Sequence, residues 1–265
     1  MKREQRLVFG EVAELYDRHR PGYPDAVVDD LVSLAGLEAG SPVLEVGAGT
    51  GKATAMFAAR GMRVLAVEPS AEMAAVARRT CAAYDGVRIE QSDFERWDPA
   101  GREFPLLFAA QAWHWVEPGV GFAKAASVLR PGGVLAAFWN RPMWERAALR
   151  EVLIEAYRQA APEILDETDP MHPANPPSGD ESEWRSGVAA ADGLRAAEVR
   201  TYEWAETYTG RDYASLLQTH STVRVMEDER RQALVDAVAQ AIAGHGNRLE
   251  LPFVTRLYLA THLIK

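Results

Sequence analysis

One segment constrains the fold more than any other: Val43-Leu44-Glu45-Val46-Gly47-Ala48-Gly49-Thr50-Gly51, a short apolar run that passes directly into a G-x-G-x-G turn. Apolar runs at Pro42–Val46, Arg63–Glu68, Val87–Ser92, Leu106–Gln111 and Val134–Trp139 are separated by Ala-rich stretches with helical spacing. Short, continuously apolar strands alternating with helices specify βαβ units and a parallel sheet buried on both faces. The helices are expected to begin near Gly51, Ser70 and Pro118, with Ser70 as an N-cap, Glu72 at the positive end of the dipole and Gly61 as a C-terminal stop.

The remaining chain decorates this core. Phe9, Ala13 and Tyr16 share a helical face, Arg20-Pro21-Gly22-Tyr23-Pro24 breaks that helix, and a second runs to about Leu34, so residues 1–35 read as a helical cover. Residues 36–140 are the core and 141–190 an insertion, helical from Met143 to Ala160 and then Pro-rich over Met171–Gly179. Residues 191–265 complete the same sheet: a strand over Ala196–Tyr208, helices over Tyr213–Val225 and Asp228–Ala243, and a strand over Arg248–His262, the two strands forming an antiparallel pair. The expected architecture is an α/β, Rossmann-like parallel sheet with helices on both faces. At 265 residues this is one domain with decorations.

Glycines at 47, 49 and 51 let the backbone turn sharply and let a ligand lie against bare main chain. The dinucleotide pattern G-x-G-x-x-G needs its third glycine at Lys52, so a nicotinamide cofactor fits poorly. Seventeen residues after Gly51, Glu68 ends the second strand, where a carboxylate can accept hydrogen bonds from both hydroxyls of an adenosine ribose; otherwise it is a solvated strand-end charge. Asp93 ends the third strand, where it could accept from an adenine amine or cap a turn, and Phe94 could stack on a base or fill the core.

The stretch Leu44–Trp139 resembles the class I S-adenosylmethionine (SAM) dependent methyltransferases, through E-V-G-A-G-T-G, A-V-E-P-S, S-D-F and L-R-P-G-G in that order. Y-D-R-H-R-P-G-Y-P at Tyr16–Pro24 and Q-A-W-H-W at Gln111–Trp115 are similar to the trans-aconitate methyltransferase-like branch. The resemblance implies a cofactor site of Tyr16, Arg20, Glu45, Gly47, Ala48, Gly49, Gly51, Glu68, Pro69, Met73, Asp93, Phe94 and Gln111. In it the glycines surround the methionine part of SAM, Glu68 holds the ribose, Asp93 and Phe94 contact adenine, Met73 packs against adenine or ribose, and Tyr16 and Arg20 approach the methionine carboxylate. The resemblance also implies S-adenosylhomocysteine as the product.

Methyl transfer from a sulfonium is an in-line displacement that needs orientation above all, with neither a metal nor a covalent residue. A carboxylate acceptor needs no base, whereas a hydroxyl benefits from one, and His114 is the candidate, between Trp113 and Trp115 after the fourth strand. Its bland alternative is a histidine hydrogen-bonded for structure. Tyr23, Trp113, His114, Trp139 and Asn140 are the candidate acceptor residues, with Trp144, His172, Trp184 and His220 as further possibilities, although scattered aromatics usually pack the core. Arg20 suits a carboxylate but could equally form a surface pair, and Tyr23 could simply pack the helix junction.

Lys and Arg total 29 against 38 Asp and Glu, and the net charge of −9 disfavours a nucleic-acid or anionic-membrane partner. A small-molecule acceptor is expected, and the N-P-P-Y or D-P-P-Y motif of amino-directed methylation is absent. Cys81 is the single cysteine, so no intrachain disulfide is possible, and no Cys/His cluster has zinc-site spacing. Met1–Gly10 lacks the apolar core of a signal peptide, so a cytoplasmic location is expected, and the oligomeric state is left open between monomer and homodimer. The competing readings are a nicotinamide-dependent oxidoreductase and a catalytically silent SAM-binding protein.

Overall fold

The structure, a computed structural model, describes residues 13–165 and 181–264. Phe9, His172 and the Met171–Gly179 tract lie outside the described residues. The elements are α1 (Ala13–His19), α2 (Asp25–Leu34), β1 (Pro42–Val46), α3 (Lys52–Ala59), β2 (Arg63–Glu68), α4 (Ala71–Thr80), β3 (Arg88–Gln91), β4 (Phe104–Ala110), α5 (Pro118–Val128), β5 (Leu129–Pro142), α6 (Arg150–Ala160), α7 (Glu181–Ala189), β6 (Leu194–Tyr208), α8 (Gly210–Leu217), α9 (Ser221–Arg224), α10 (Asp228–Ala243) and β7 (Leu249–His262). They form one seven-stranded sheet in the order β3-β2-β1-β4-β5-β7-β6.

The first five strands are parallel, and β7 inserts antiparallel between β5 and β6. The chain order runs outward from β1 in both directions, so a crevice opens at the carboxyl ends of β1 and β4, where the order reverses. Side chains alternate between the faces with period two. Leu44, Val46, Leu107, Ala109, Leu135, Ala137 and Trp139 enter a core that holds Phe122 and Ala125 of α5 and Trp184 and Val188 of α7. Val43, Leu106, Phe108, Val134, Ala136 and Phe138 enter the opposite core against Val27, Val28 and Leu31 of α2 and Phe57 of α3. A third cluster joins α6, α8 and α10 to Leu249, Leu251 and Phe253 of β7.

Four expectations change in detail. The strand read as Leu106–Gln111 ends at Ala110, because Gln111 turns into the left-handed region at φ 58°. The helical stretch Met143–Ala160 is a 3₁₀ turn at Trp144–Arg146 followed by α6. The helix read over Tyr213–Val225 divides into α8 and α9, with the Thr209 hydroxyl accepting the Asp212 amide at 3.2 Å to start α8 earlier. Helix α7, which carries Trp184 into the core, has no counterpart among the elements expected from sequence.

Candidate functional site

The glycine turn is fastened to β2 by its own backbone, the Gly47 and Ala48 amides donating to the Val67 carbonyl at 2.8 and 3.3 Å. Gly47 lies at φ 73°, and a Cβ there would stand 2.4 Å from the Ala112 Cβ, so only glycine lets β1 leave the sheet beside the segment after β4. Gly51 N-caps α3 at φ 86°, where a Cβ would meet the Ala77 Cα and Cys81 Sγ at 3.1 Å each. The third glycine therefore lets α3 and α4 approach rather than facing a ligand. Cys81 is buried in that junction, which pushes its thiol pKa up to about 11.

Glu68, 6% exposed, closes the turn from the other side: Oε2 accepts the Gly49 amide at 2.7 Å and Oε1 the Ser70 amide at 2.9 Å. Ser70 in turn caps α4, accepting the Met73 amide at 3.2 Å. Beneath the turn, Glu45 is 1% exposed; Oε2 accepts the Thr54 hydroxyl while Oε1 has no hydrogen-bond partner among the described residues. Burial, and then the nearby Glu68, raise the Glu45 pKa to about 8. A buried acceptor oxygen left in this state is suited to a cationic donor entering from the cleft.

These groups face a cleft of about 270 Å³ at the carboxyl edge. Of the cofactor-site residues expected from sequence, Glu45, Gly47, Ala48, Gly49, Glu68, Pro69, Met73, Phe94 and Gln111 line it, and Tyr16 and Arg20 close it from the cover. Gly51 and Asp93 do not line it. The Asp93 carbonyl instead accepts the amides of Arg96 and Trp97 at 3.1 and 2.9 Å, opening the turn that follows β3. Phe94 fills the core, its ring 6.2 Å from those of Trp97 and Trp113, and also touches the cleft.

The cover is held from two directions. Arg20 donates through Nε to the Thr219 hydroxyl at 2.7 Å and through Nη2 to the Thr219 carbonyl at 3.0 Å, with its guanidinium 5.1 Å above the Tyr16 ring. That replaces the surface pair anticipated for Arg20 with a tie to the α8–α9 junction. Neighbouring His220 is kept neutral, its pKa pushed down to about 3 by burial and then by the Arg20 charge. Asn140 donates to the Gly22 carbonyl at 2.7 Å and accepts the Thr255 hydroxyl at 2.7 Å. Tyr23 packs edge-on against Phe138 at 5.0 Å, and burial, then Tyr16 and Glu45, raise its pKa well above the ordinary phenol value.

On the far wall, His114 and Trp115 follow β4 in a 3₁₀ turn. Trp139 does not line the cleft but stands behind His114, its Nε1 donating to His114 Nδ1 at 3.1 Å. An indole nitrogen only donates, so Nδ1 holds a lone pair and the neutral imidazole carries its proton on Nε2. Trp113 is core, edge-on to Phe122 at 5.1 Å and to Trp184 at 6.2 Å. Trp144 packs on Tyr213 at 5.9 Å, within the third cluster. Trp115, named from sequence only as a neighbour of His114, and Lys52, which sequence reasoning missed, are both on the cleft wall; Lys52, which occupies the place of the absent third glycine, has its pKa lowered by burial.

Among the described residues no group of three or more His, Cys, Asp and Glu could hold a metal ion, and no helix is long and apolar enough to cross a membrane.

Comparison with known proteins identifies the family. Residues 43–133 match the model of a methyltransferase domain family. An uncharacterized methyltransferase of Mycobacterium tuberculosis is 30% identical over 265 residues, covering 98% of each chain. An uncharacterized methyltransferase of Geobacillus kaustophilus is 29% identical over 180 residues, 64% of this chain and 81% of that one. A solved structure from Anaeromyxobacter dehalogenans, described as a candidate type II methyltransferase, superposes with a TM-score of 0.63 at 21% identity, over 93% of this chain and 99% of the other. Family match, full-length relative and sheet order together show that the chain belongs to the class I SAM-dependent methyltransferases.

Proposed function

We propose that this methyltransferase acts on a small molecule and methylates an oxygen, most simply a carboxylate. The observation that carries the reading is the His114–Trp139 hydrogen bond, which leaves the exposed imidazole with a hydrogen on Nε2 rather than a lone pair. A hydroxyl or ammonium acceptor must lose a proton, and this ring offers no base for it. A carboxylate needs none and can accept a hydrogen bond from Nε2.

SAM, when bound, supplies an electrophilic methyl group on a sulfonium. With SAM in place, methylation of a carboxylate would give a methyl ester with no proton moved, so it would ask no base of the protein. The protein's residues bind and orient. Glu45 Oε1 would receive the ammonium of the methionine part, and the Glu68 carboxylate, anchored on two backbone amides, would accept from the ribose hydroxyls. Arg20 and Tyr16 close the cleft against water. Restricting the reactants in this way can contribute roughly 7–11 kcal/mol to such a displacement.

The net charge of −9 supports a small acceptor over a nucleic acid. A thermal-shift titration with S-adenosylhomocysteine and with NAD tests the cofactor: the homocysteine compound should stabilise the protein and NAD should not. Turnover of labelled SAM with organic acids separates an enzyme from a silent binding protein.

A further inference from the structure

The cover presents Tyr16, Arg20, Pro21 and Tyr23 to the cleft. Pro21 has no donor to offer, and Arg20 commits Nε and Nη2 to Thr219 while lying over the Tyr16 ring. Tyr23 differs from these three. Its ring is half-buried and edge-on to Phe138, yet its hydroxyl makes no hydrogen bond among the described residues. Glu45 lies near enough to raise the phenol pKa, but Glu45 Oε1 has no hydrogen-bond partner either, so the hydroxyl does not reach it.

The backbone around this ring is fixed on both sides. Before it, the Gly22 carbonyl accepts Asn140 Nδ2 at 2.7 Å, and Asn140 is itself held by the fully buried Thr255 hydroxyl at 2.7 Å. After it, Pro24 stands at φ −62° as the N-cap of α2, and a proline confines the residue before it to extended backbone. Val27, Val28 and Leu31 then seat α2 in the core. A tyrosine with a buried ring normally gives its hydroxyl a partner. Burial holds the proton on this one, so it remains a donor through the neutral range.

We propose that Tyr23 is a specificity-determining contact for the methyl acceptor, its hydroxyl donating to the acceptor carboxylate from the cover while His114 Nε2 donates from the segment after β4. Both side chains line the same cleft. A carboxylate accepts at each of its oxygens, whereas an ammonium has no lone pair to receive either donor. The cover then selects the acceptor as well as closing the cleft. This inference rests on the carboxylate reading above.

Tyr23→Phe tests it, because the variant removes the hydroxyl and keeps the ring against Phe138. Wild type and variant are compared in methyl transfer from deuterated SAM to acetate, benzoate and citrate, read as alkali-labile ester by mass spectrometry, and in calorimetric titration with S-adenosylhomocysteine. Wild type should esterify at least one of the acids. In Tyr23→Phe, kcat/KM for that acid should fall about tenfold or more, the scale of a hydrogen bond to a charged group, with S-adenosylhomocysteine affinity and Tm unchanged. Equal kcat/KM in the two proteins overturns the contact and leaves the carboxylate reading standing. Loss of S-adenosylhomocysteine affinity in the folded variant also overturns it, by placing the hydroxyl at the cofactor. Absence of ester from wild type with all three acids overturns the carboxylate reading and the contact together.

Discussion

Trp139 Nε1 donates to His114 Nδ1 at 3.1 Å, and this bond determines which nitrogen of the neutral imidazole carries the proton. With Nδ1 occupied as an acceptor, Nε2 is a donor in the neutral ring. His114→Gln, which keeps an N–H near the Nε2 position, should therefore retain most activity, whereas His114→Ala should lose about tenfold in kcat/KM, the scale of one hydrogen bond to a charged group. Were His114 a general base, both variants would lose roughly a hundredfold or more. Steady-state kinetics with the acceptor varied distinguishes the two.

Trp139→Phe removes the donor and frees the ring to change tautomer. The acceptor KM should rise about threefold to tenfold, as expected for a lost neutral hydrogen bond, while S-adenosylhomocysteine affinity measured by calorimetry stays the same.

Glu68 stabilises the turn beside the proposed cofactor site, because its carboxylate accepts both the Gly49 and Ser70 amides. Glu68→Ala should weaken S-adenosylhomocysteine binding at least tenfold and lower folding stability by about 1–3 kcal/mol, since two amides lose their acceptor. Unchanged affinity in a folded Glu68→Ala protein would contradict the assigned cofactor site.

Gly51 answers a different question. Alanine there is strained at φ 86° and would crowd Ala77 and Cys81. Gly51→Ala should cost about 1–3 kcal/mol and lower Tm by several degrees, with cofactor affinity reduced only through the displaced turn. A fold unaffected by the substitution would show that α3 and α4 can separate freely.

Glu45 gives a pH dependence. Its pKa in the folded chain is about 8, above the ordinary carboxyl value of 4.5. The neutral form is favoured by burial, so this group's contribution to stability is full at low pH and is lost as pH rises toward 8. Glu45→Gln mimics the neutral acid and should flatten that decline, being more stable than wild type above pH 8 and similar near pH 5, as followed by thermal melts. Ammonium binding should draw a proton from Glu45 at pH 7. Calorimetry in buffers of different ionisation enthalpy should then report proton release with wild type and none with Glu45→Gln.

The parallel core was legible because its strands are buried on both faces, so Leu44, Leu107 and Leu135 belong to unbroken apolar runs whichever side they face. The glycine turn was legible because close approach at Gly47 leaves no other residue possible. What escaped depends on contacts far apart in the chain. Arg20 meets Thr219 across 199 residues and Asn140 meets Gly22 across 118, and no local pattern announces such pairs. Gly51 carries the expected motif, yet its steric demand comes from α4, not from a ligand. Helix α7 was hidden because only Trp184 and Val188 face the core, four residues apart, beside a tract rich in proline.

Methyl transfer to an acceptor oxygen is proposed to proceed without a base. It is tested most directly by incubating the enzyme with SAM carrying a deuterated methyl group and a panel of organic acids, phenols and amines, then locating the label by mass spectrometry before and after mild alkali. Label is expected in an acid, released as methanol by alkali because the product is an ester. Label that survives alkali on nitrogen, carbon or a phenol oxygen would contradict it.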